Sequence, residues 1–251
     1  MVCNKLMMNQ EKTEFFIVAS PLHYTRLQHL CFYHDGLEIP PSALVRNLGV
    51  VFDHSLTMSD HVTRLSRSLN WQIRNLNRIR RFLDFDACHN AVRALILSRL
   101  DYCCSLFNGI SKHDLARLQR LQNKCARLIF KKPKRTHTSP LVQELHWLPV
   151  SKRIQYRTLL YVYKSLKRSS PDYLSSLLKI QESSYSLRSS KAPKYVVKRT
   201  SKHAGDCAFS VAGPRQWNAL PISIRNAASI PCFSKPVKLV KEWCNMVTSR
   251  F

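Results

Sequence analysis

Two helical patterns between residues 59 and 135, each with a leucine stripe beside a cationic stripe, constrain this chain more than any other feature. In the first, Val62, Leu65, Leu69, Ile73, Leu76 and Ile79 recur at three- and four-residue steps. Arg64, Arg67, Arg74, Arg78 and Arg81 recur in the same way, and at about 100° per residue the two sets fall on nearly opposite faces. In the second, Leu115, Leu118, Leu121, Cys125 and Leu128 form the apolar side. Arg117, Arg120, Lys124, Arg127 and Lys131 form its cationic side, roughly a quarter-turn away. The pattern predicts amphipathic helices that bury leucine and present arginine. The ordinary reading of such a face is that it is merely solvated. Neither face carries glutamates at four-residue offsets that would pair its cations, so the charges repel until a polyanion neutralises them. Trp71 lies within the first arginine row, where an aromatic suits stacking on a base or sugar. From residue 64 to residue 81 a helix extends about 25 Å, enough to follow roughly seven phosphates of one strand. Nucleic-acid contact is the expectation.

Charge supports it. The chain holds 40 Lys and Arg against 15 Asp and Glu, a net +25 that favours nucleic acid or an anionic membrane surface as partner. The surplus is uneven: residues 1–60 carry 4 cations and 6 acids, residues 61–135 carry 17 and 4, and residues 136–251 carry 19 and 5. The 251 residues suffice for one large domain or two small ones. No apolar run approaches the roughly eighteen residues of a membrane span, and the N-terminus lacks a charged head followed by an apolar core and a small-residue cleavage site. The expected location is therefore intracellular, in nucleus or cytoplasm, with no membrane partner. Nine cysteines are an odd number and argue against a disulfide framework. Cys104 and Cys125 occupy apolar helix positions, where cysteine behaves as a small hydrophobe.

Taken in order, the chain predicts a mainly helical, α+β arrangement. Phe15, Phe16, Ile17 and Val18, followed by Pro21, read as a strand, and residues 44–52 read as a second strand with Gly49 marking a bulge or close approach. Two or three strands are marginal alone, so this portion reads as the edge of a larger sheet. Ser59 is placed as the cap of the first striped helix, which runs to about Phe82 and the turn LDFD. A second helix is expected over residues 87–106, ended by Gly109, and Ser111 with Asp114 resembles a capping box at the start of the second striped helix. These three helices suggest a small bundle. The proline-bearing run at residues 131–140 suggests a boundary. Beyond it come short helices near residues 141–145 and after Pro171, and a longer one over residues 151–166. Residues 181–206 read as a loop or weak strand. Phe209, Trp217, Leu220, Ile222 and Ile224 then supply a satellite core, and a last helix is expected over residues 237–243, begun or kinked at Pro236.

Catalytic chemistry is sparse. There is no Cys-x-x-Cys, and His203, Cys207, Cys232 and Cys244 lack the compact pair of a zinc knuckle. Cys31 and His34 have no matching second pair. Asp84 and Asp86 are the only close acids in the basic region, and their turn position suits helix capping better than holding magnesium for nucleotidyl transfer. Five glycines leave no room for a phosphate-cradling loop.

Six stretches, in one order and covering nearly the whole chain, resemble a known family: NKLMMNQEKTEFF, VRNLGVVFDHSLTMSDHV, SRLDYCCSLFNGI, LARLQRLQNKCARLIF, LHWLPVSKRI and GPRQWNALPISIR. They resemble the C-terminal part of LINE-type, non-LTR retrotransposon reverse transcriptases of the jockey-like kind, which are RNA-directed DNA polymerases using magnesium. The resemblance implies a place within that polymerase. Asn9, Lys12, Thr13 and Glu14 match a palm motif, with Lys12 as the lysine thought to protonate the leaving pyrophosphate. Leu48, Gly49 and Val50, with Asp53 after them, match the primer grip. Residues 1–56 would be palm, residues 57–135 a helical thumb following the template and primer duplex, and residues 136–251 the C-terminal extension.

The departures matter equally. The family's metal-binding aspartates would precede Met1, and no aromatic-x-Asp-Asp turn occurs in the chain. Lys12 without partner aspartates makes no active site, and no cofactor is expected of this chain alone. The reading is a truncated reverse transcriptase, not an enzyme by itself, that at most binds RNA, DNA or RNA·DNA hybrid through Arg64, Arg67, Trp71, Arg74, Arg78, Arg81, Arg117, Arg120, Lys124, Arg127 and Lys131. Two alternatives stay open: part of an active polymerase whose N-terminal portion is missing, and an inert pseudogene-derived product.

Overall fold

The computed structural model describes residue 9 and residues 12–34, 36–181 and 193–234. These are mainly helical, with two small antiparallel sheets. The chain divides into two compact units, Met1–Arg64 and Leu65–Phe251.

In the first unit, α1 (Pro21–Leu27) has proline at its first turn, where a missing N–H costs no helical bond. Strand β1 (Phe32–His34) pairs with β2 (Leu37–Ile39), and β3 (Leu44–Asn47) pairs with β4 (Val50–Asp53). Between β3 and β4 lie only Leu48 and Gly49, at φ 46° and 83°. Two successive left-handed residues form the turn whose twist matches paired strands. The single strand expected over residues 44–52 is therefore corrected to a hairpin, with Gly49 in its turn rather than in a bulge. The strand expected over residues 15–18 is also absent. Phe15 makes one bridge to Pro41, and its ring packs 5.8 Å from that of Phe32.

Asp53 builds the exit from β4. Its buried carboxylate accepts the N–H groups of Ser55, Thr57 and Met58 and the Thr57 hydroxyl, at 2.7 to 3.1 Å. Four donors satisfy a buried carboxylate and fix the turn that leads into α2 (Ser59–Ile79). Thr57 Oγ1 also accepts the Ser59 N–H at 3.4 Å, so the helix entry is assembled from residues ahead of Ser59. One turn later, His61 Nδ1 accepts the Val51 N–H at 3.2 Å, which requires that nitrogen to be unprotonated. Burial pushes the His61 imidazole below its ordinary range.

In the second unit, α2 tightens into a 3₁₀ turn at Arg80–Phe82. Asp84 then caps α3 (Phe85–Val92), accepting the Ala87 N–H at 2.7 Å, the capping role its position suggested. A π turn at Arg93–Leu97 leads to α4 (Ser98–Asp101). The unbroken helix expected over residues 87–106 is corrected here. Tyr102 is extended and Cys103 left-handed (φ 51°), so the chain leaves the helix axis and resumes as a 3₁₀ turn at Cys104–Phe107. That turn packs on α7 (Val150–Leu166), with Cys104 and Phe107 buried. Gly109 does take a left-handed φ of 82°, and a Cβ there would lie 2.1 Å from Cys207 Sγ, so no side chain fits.

Helix α5 (Lys112–Ile129) opens on Ser111, whose hydroxyl accepts the Asp114 N–H at 3.1 Å and donates to the Asp114 carboxylate at 2.8 Å. At its other end Lys131 is left-handed; its N–H reaches Leu128 O and the Lys132 N–H reaches Arg127 O, a Schellman closure. Residues 131–140 then lie within this same compact unit. Helix α5 packs on α3, on α7 and on α6 (Ser139–Glu144). Its Leu118, Leu121 and Cys125 are buried, as are Cys88 and Val92 on α3 and Val150 and Ile154 on α7. Arg80 closes the arrangement. Its guanidinium donates to Leu128 O at 2.7 Å, Ile129 O at 2.6 Å and Leu83 O at 2.6 Å, a buried cation on the carbonyl end of α5.

Short helices α8 (Asp172–Ser175), α9 (His203–Cys207), α10 (Phe209–Asn218), α11 (Ile222–Arg225) and α12 (Ile230–Ser234) complete the described chain. The satellite core forms where expected: Trp217, Leu220 and Ile224 join Leu159, Val162 and Tyr163 of α7, with Leu178, Tyr195 and Phe233. Ile222, expected inside, is exposed, because α11 turns Ile224 and Arg225 inward instead. The helix expected over residues 237–243, Pro236, and residues 182–192 of the expected loop lie outside the described residues. Residues 193–202 form no regular element beyond the pairing of Tyr195 with Ile180. Among the described residues no helix is long and apolar enough to cross a membrane.

Candidate nucleic-acid interface

Helix α2 separates its two faces as its sequence dictates. Val62, Leu65, Leu69 and Leu76 are buried and Ile73 is half-buried, while Ile79, at the helix end, is exposed. Arg64, Arg67, Arg74 and Arg78 are all exposed on the other side, with Trp71 among them at 60% exposure. Arg81 extends the row from the 3₁₀ turn, its guanidinium 4.6 Å above the Phe82 ring. None of these five arginines forms an ion pair among the described residues. The face therefore presents cations about one helical turn apart, with no carboxylate to neutralise them, around a large aromatic that no packing requires. Water alone leaves that indole's apolar area uncovered.

The α5 row is used differently along its length. Arg120, Lys124 and Lys131 are exposed, and Arg117 and Arg127 are half-buried. Lys124 Nζ donates to Asn70 Oδ1 at 2.8 Å, and Asn70 Nδ2 donates to Ser66 O at 2.9 Å. This brings the cationic side of α5 beside the residue that precedes Trp71. Arg127 Nε donates to Thr136 O at 3.0 Å and so braces the loop after α5. Neither Asn70 nor the buried Arg80 stands out in the sequence. Asn70 carries a polar side chain between the two faces of α2, and Arg80 is a cation four residues beyond Leu76 on the apolar stripe, the signals that could have marked them.

In the first unit, Lys12 is exposed at the end of a turn closed by Asn9, whose backbone O accepts the Lys12 N–H at 3.2 Å. Leu48 and Gly49 form the exposed tip of the β3–β4 hairpin, with Leu48 at 83% exposure, whereas Val50 is buried. The hairpin thus offers backbone at its tip and an apolar anchor behind it.

Among the described residues no group of three or more His, Cys, Asp or Glu side chains comes together as metal ligands. His203 Nε2 lies 3.5 Å from Cys207 Sγ. Burial, then the charge of Asp206, holds the Cys207 thiol above its ordinary range, which does not suit a thiolate nucleophile. The seven described cysteines are free thiols. No family model, curated protein or solved structure matches the chain.

Proposed function

We propose that this chain corresponds to the C-terminal part of a LINE-type reverse transcriptase, that it binds RNA or DNA, duplex or single-stranded, through a thumb-like pair of basic helices, and that these residues do not polymerise by themselves. One observation carries the binding part: four exposed arginines and Trp71 share a single face of α2, Arg81 continues the row from the 3₁₀ turn, and none of the five forms an ion pair among the described residues. Guanidinium groups at that spacing contact phosphates along one strand, and the indole stacks on a base or sugar that the backbone path brings against it. Lys124 of α5, held beside Asn70, adds charge to the same region. In this reading the β3–β4 tip at Leu48 and Gly49 is the vestige of a primer grip, and Lys12 a palm lysine without catalytic partners.

The test is binding of the full chain to a labelled RNA·DNA hybrid across a salt series. If five phosphates are neutralised, log affinity against log salt should fall with a slope of about −4.5. Each of Arg67→Ala, Arg74→Ala and Arg78→Ala should reduce that slope by about 0.9, and Trp71→Ala should weaken binding with the slope unchanged. A flat salt dependence, or slopes indifferent to these changes, would sink the reading and leave an inert product as the better account.

A further inference from the structure

The cationic row of α2 also contains two large aromatics, and their spacing along it is regular. Arg67, Trp71, Arg74, Arg78 and Phe82 follow one another at steps of four, three, four and four residues, so they lie along one side of the helix and its 3₁₀ end. All five are exposed, Trp71 at 60% and Phe82 at 73%. The order is cation, aromatic, two cations, aromatic. The three 3₁₀ residues rotate faster than α-helical ones and carry Phe82 about 60° round the axis, where it remains exposed. From Trp71 to Phe82 the rise is about 18 Å, mostly α-helical with a final 3₁₀ turn.

Neither ring belongs to the buried core. The Arg81 guanidinium stands 4.6 Å over one face of Phe82, and with the side chain 73% exposed the other face is open. A cation on one face steadies the ring and leaves the second as a flat platform beside a phosphate-binding charge. Trp71 offers a similar platform eleven residues earlier, with Lys124 of α5 held at the neighbouring Asn70. Duplex bases are paired and stacked on one another, so a side chain outside the helix meets phosphate and sugar unless a step is pulled apart. A single strand presents base faces without that cost, whatever its sequence. An anionic membrane is a poorer match. An interfacial helix sinks an apolar side into lipid and keeps its charges on the other, whereas here cations stand between the two rings and the apolar side of α2 is buried in the protein.

We infer that the α2 face selects single-stranded RNA or DNA, stacking one base on Trp71 and a second on Phe82 while Arg74 and Arg78 hold the phosphates between them. A rise of about 18 Å equals about five steps of a stacked strand at about 3.4 Å each, and fewer when the strand is stretched. Phe82 is thus a binding residue outside the arginine row, and its open ring face sets the strand preference. The inference rests on the reading of α2 as a nucleic-acid interface.

The experiment uses the full chain and the anisotropy of a labelled oligouridine of about twelve residues, alone and annealed to oligodeoxyadenosine, with triuridine as an unlabelled competitor. Phe82→Ala should weaken single-strand binding at least about fivefold and hybrid binding less than about twofold, with both salt slopes unchanged. Phe82→Trp should keep the single-strand affinity and Phe82→Leu should lose it, which separates a stacking face from apolar bulk. Trp71→Ala should cost more on the single strand than on the hybrid, where the indole meets only sugar. Triuridine spans about 7 Å at the stacked spacing and cannot reach both rings, so Phe82→Ala should change its affinity less than about twofold. Equal losses on hybrid and single strand, or none on either, would overturn the inference, and an arginine-dependent salt slope in that case would leave the α2 interface standing. Absence of arginine-dependent binding to either form would overturn both. A fivefold effect of Phe82→Ala on triuridine would overturn the two-platform spacing.

Discussion

Replacing Arg80 with alanine removes three short hydrogen bonds from a buried guanidinium to Leu128 O, Ile129 O and Leu83 O. Charge-assisted bonds of this kind contribute about 1.5–3 kcal/mol each, but they do not add, and desolvating the cation offsets part of their sum. What alanine leaves behind decides the sign: carbonyls at the end of α5 with no donor, each costing about 1–3 kcal/mol when kept from water. The net loss should be about 3–5 kcal/mol, a large part of the roughly 5–15 kcal/mol that stabilises a folded domain. Arg80→Lys should lose about half as much, since an ammonium cannot span the two helix-end carbonyls as a fork does. Arg81, one residue on, is exposed, and Arg81→Ala should change stability by no more than about 0.5 kcal/mol. Urea unfolding of the full chain, followed by far-ultraviolet circular dichroism, separates the two: Arg80→Ala should lower the midpoint by about 1–3 M. If both alanine variants unfold at the same concentration, the carbonyl-capping role of Arg80 is wrong.

The His61 and His89 imidazoles are both held below their ordinary pKa, chiefly by burial. Below about pH 6.5 the unfolded chain therefore binds protons that the folded chain refuses, and stability should fall as pH drops from there. Thermal midpoints between pH 7.5 and 5.5 check this; His61→Gln, which keeps an acceptor for the Val51 N–H but cannot titrate, should flatten the profile. For the cysteines, burial raises Cys104 to about 11 and Cys125 to about 12. Alkylation of the native chain, read by mass spectrometry, should label the exposed Cys232 early and these two last. Equal labelling of Cys125 would mean that the α5 core opens readily.

The two striped helices were legible because a period of 3.6 residues writes the same decision many times over, so no single residue has to be read correctly. What escaped depended on single residues. Arg80 and Arg81 are chemically identical and adjacent; Arg80 stands four residues beyond Leu76 on the apolar stripe and turns inward, Arg81 continues the cationic row, and the shared charge masked the difference. The β3–β4 turn has Leu48 where Asn or Gly ordinarily stands, so its left-handed conformation carries no compositional mark. The break at Cys103 likewise contains neither glycine nor proline. By contrast, Asp35 followed by Gly36 is an ordinary hairpin signal and could have placed β1 and β2. A surface cavity lined by His89, Arg93, Trp147 and Arg153 was invisible for another reason. Its walls come from elements far apart in sequence, and nothing in their local spacing announces it.

The apolar side of α7 has a consequence in time. Leu159, Val162 and Tyr163 are covered by Trp217, Leu220 and Phe233, and the Tyr163 hydroxyl reaches Ala227 O, 64 residues downstream. At about 5–20 residues per second of synthesis, that cover arrives some 3–13 s after α7 itself. During this interval a nascent chain displays an uncovered aromatic and aliphatic strip of the kind chaperones hold. A message cut short before residue 217 would never conceal it, so quality control rather than loss of any binding residue would set the abundance of shorter copies.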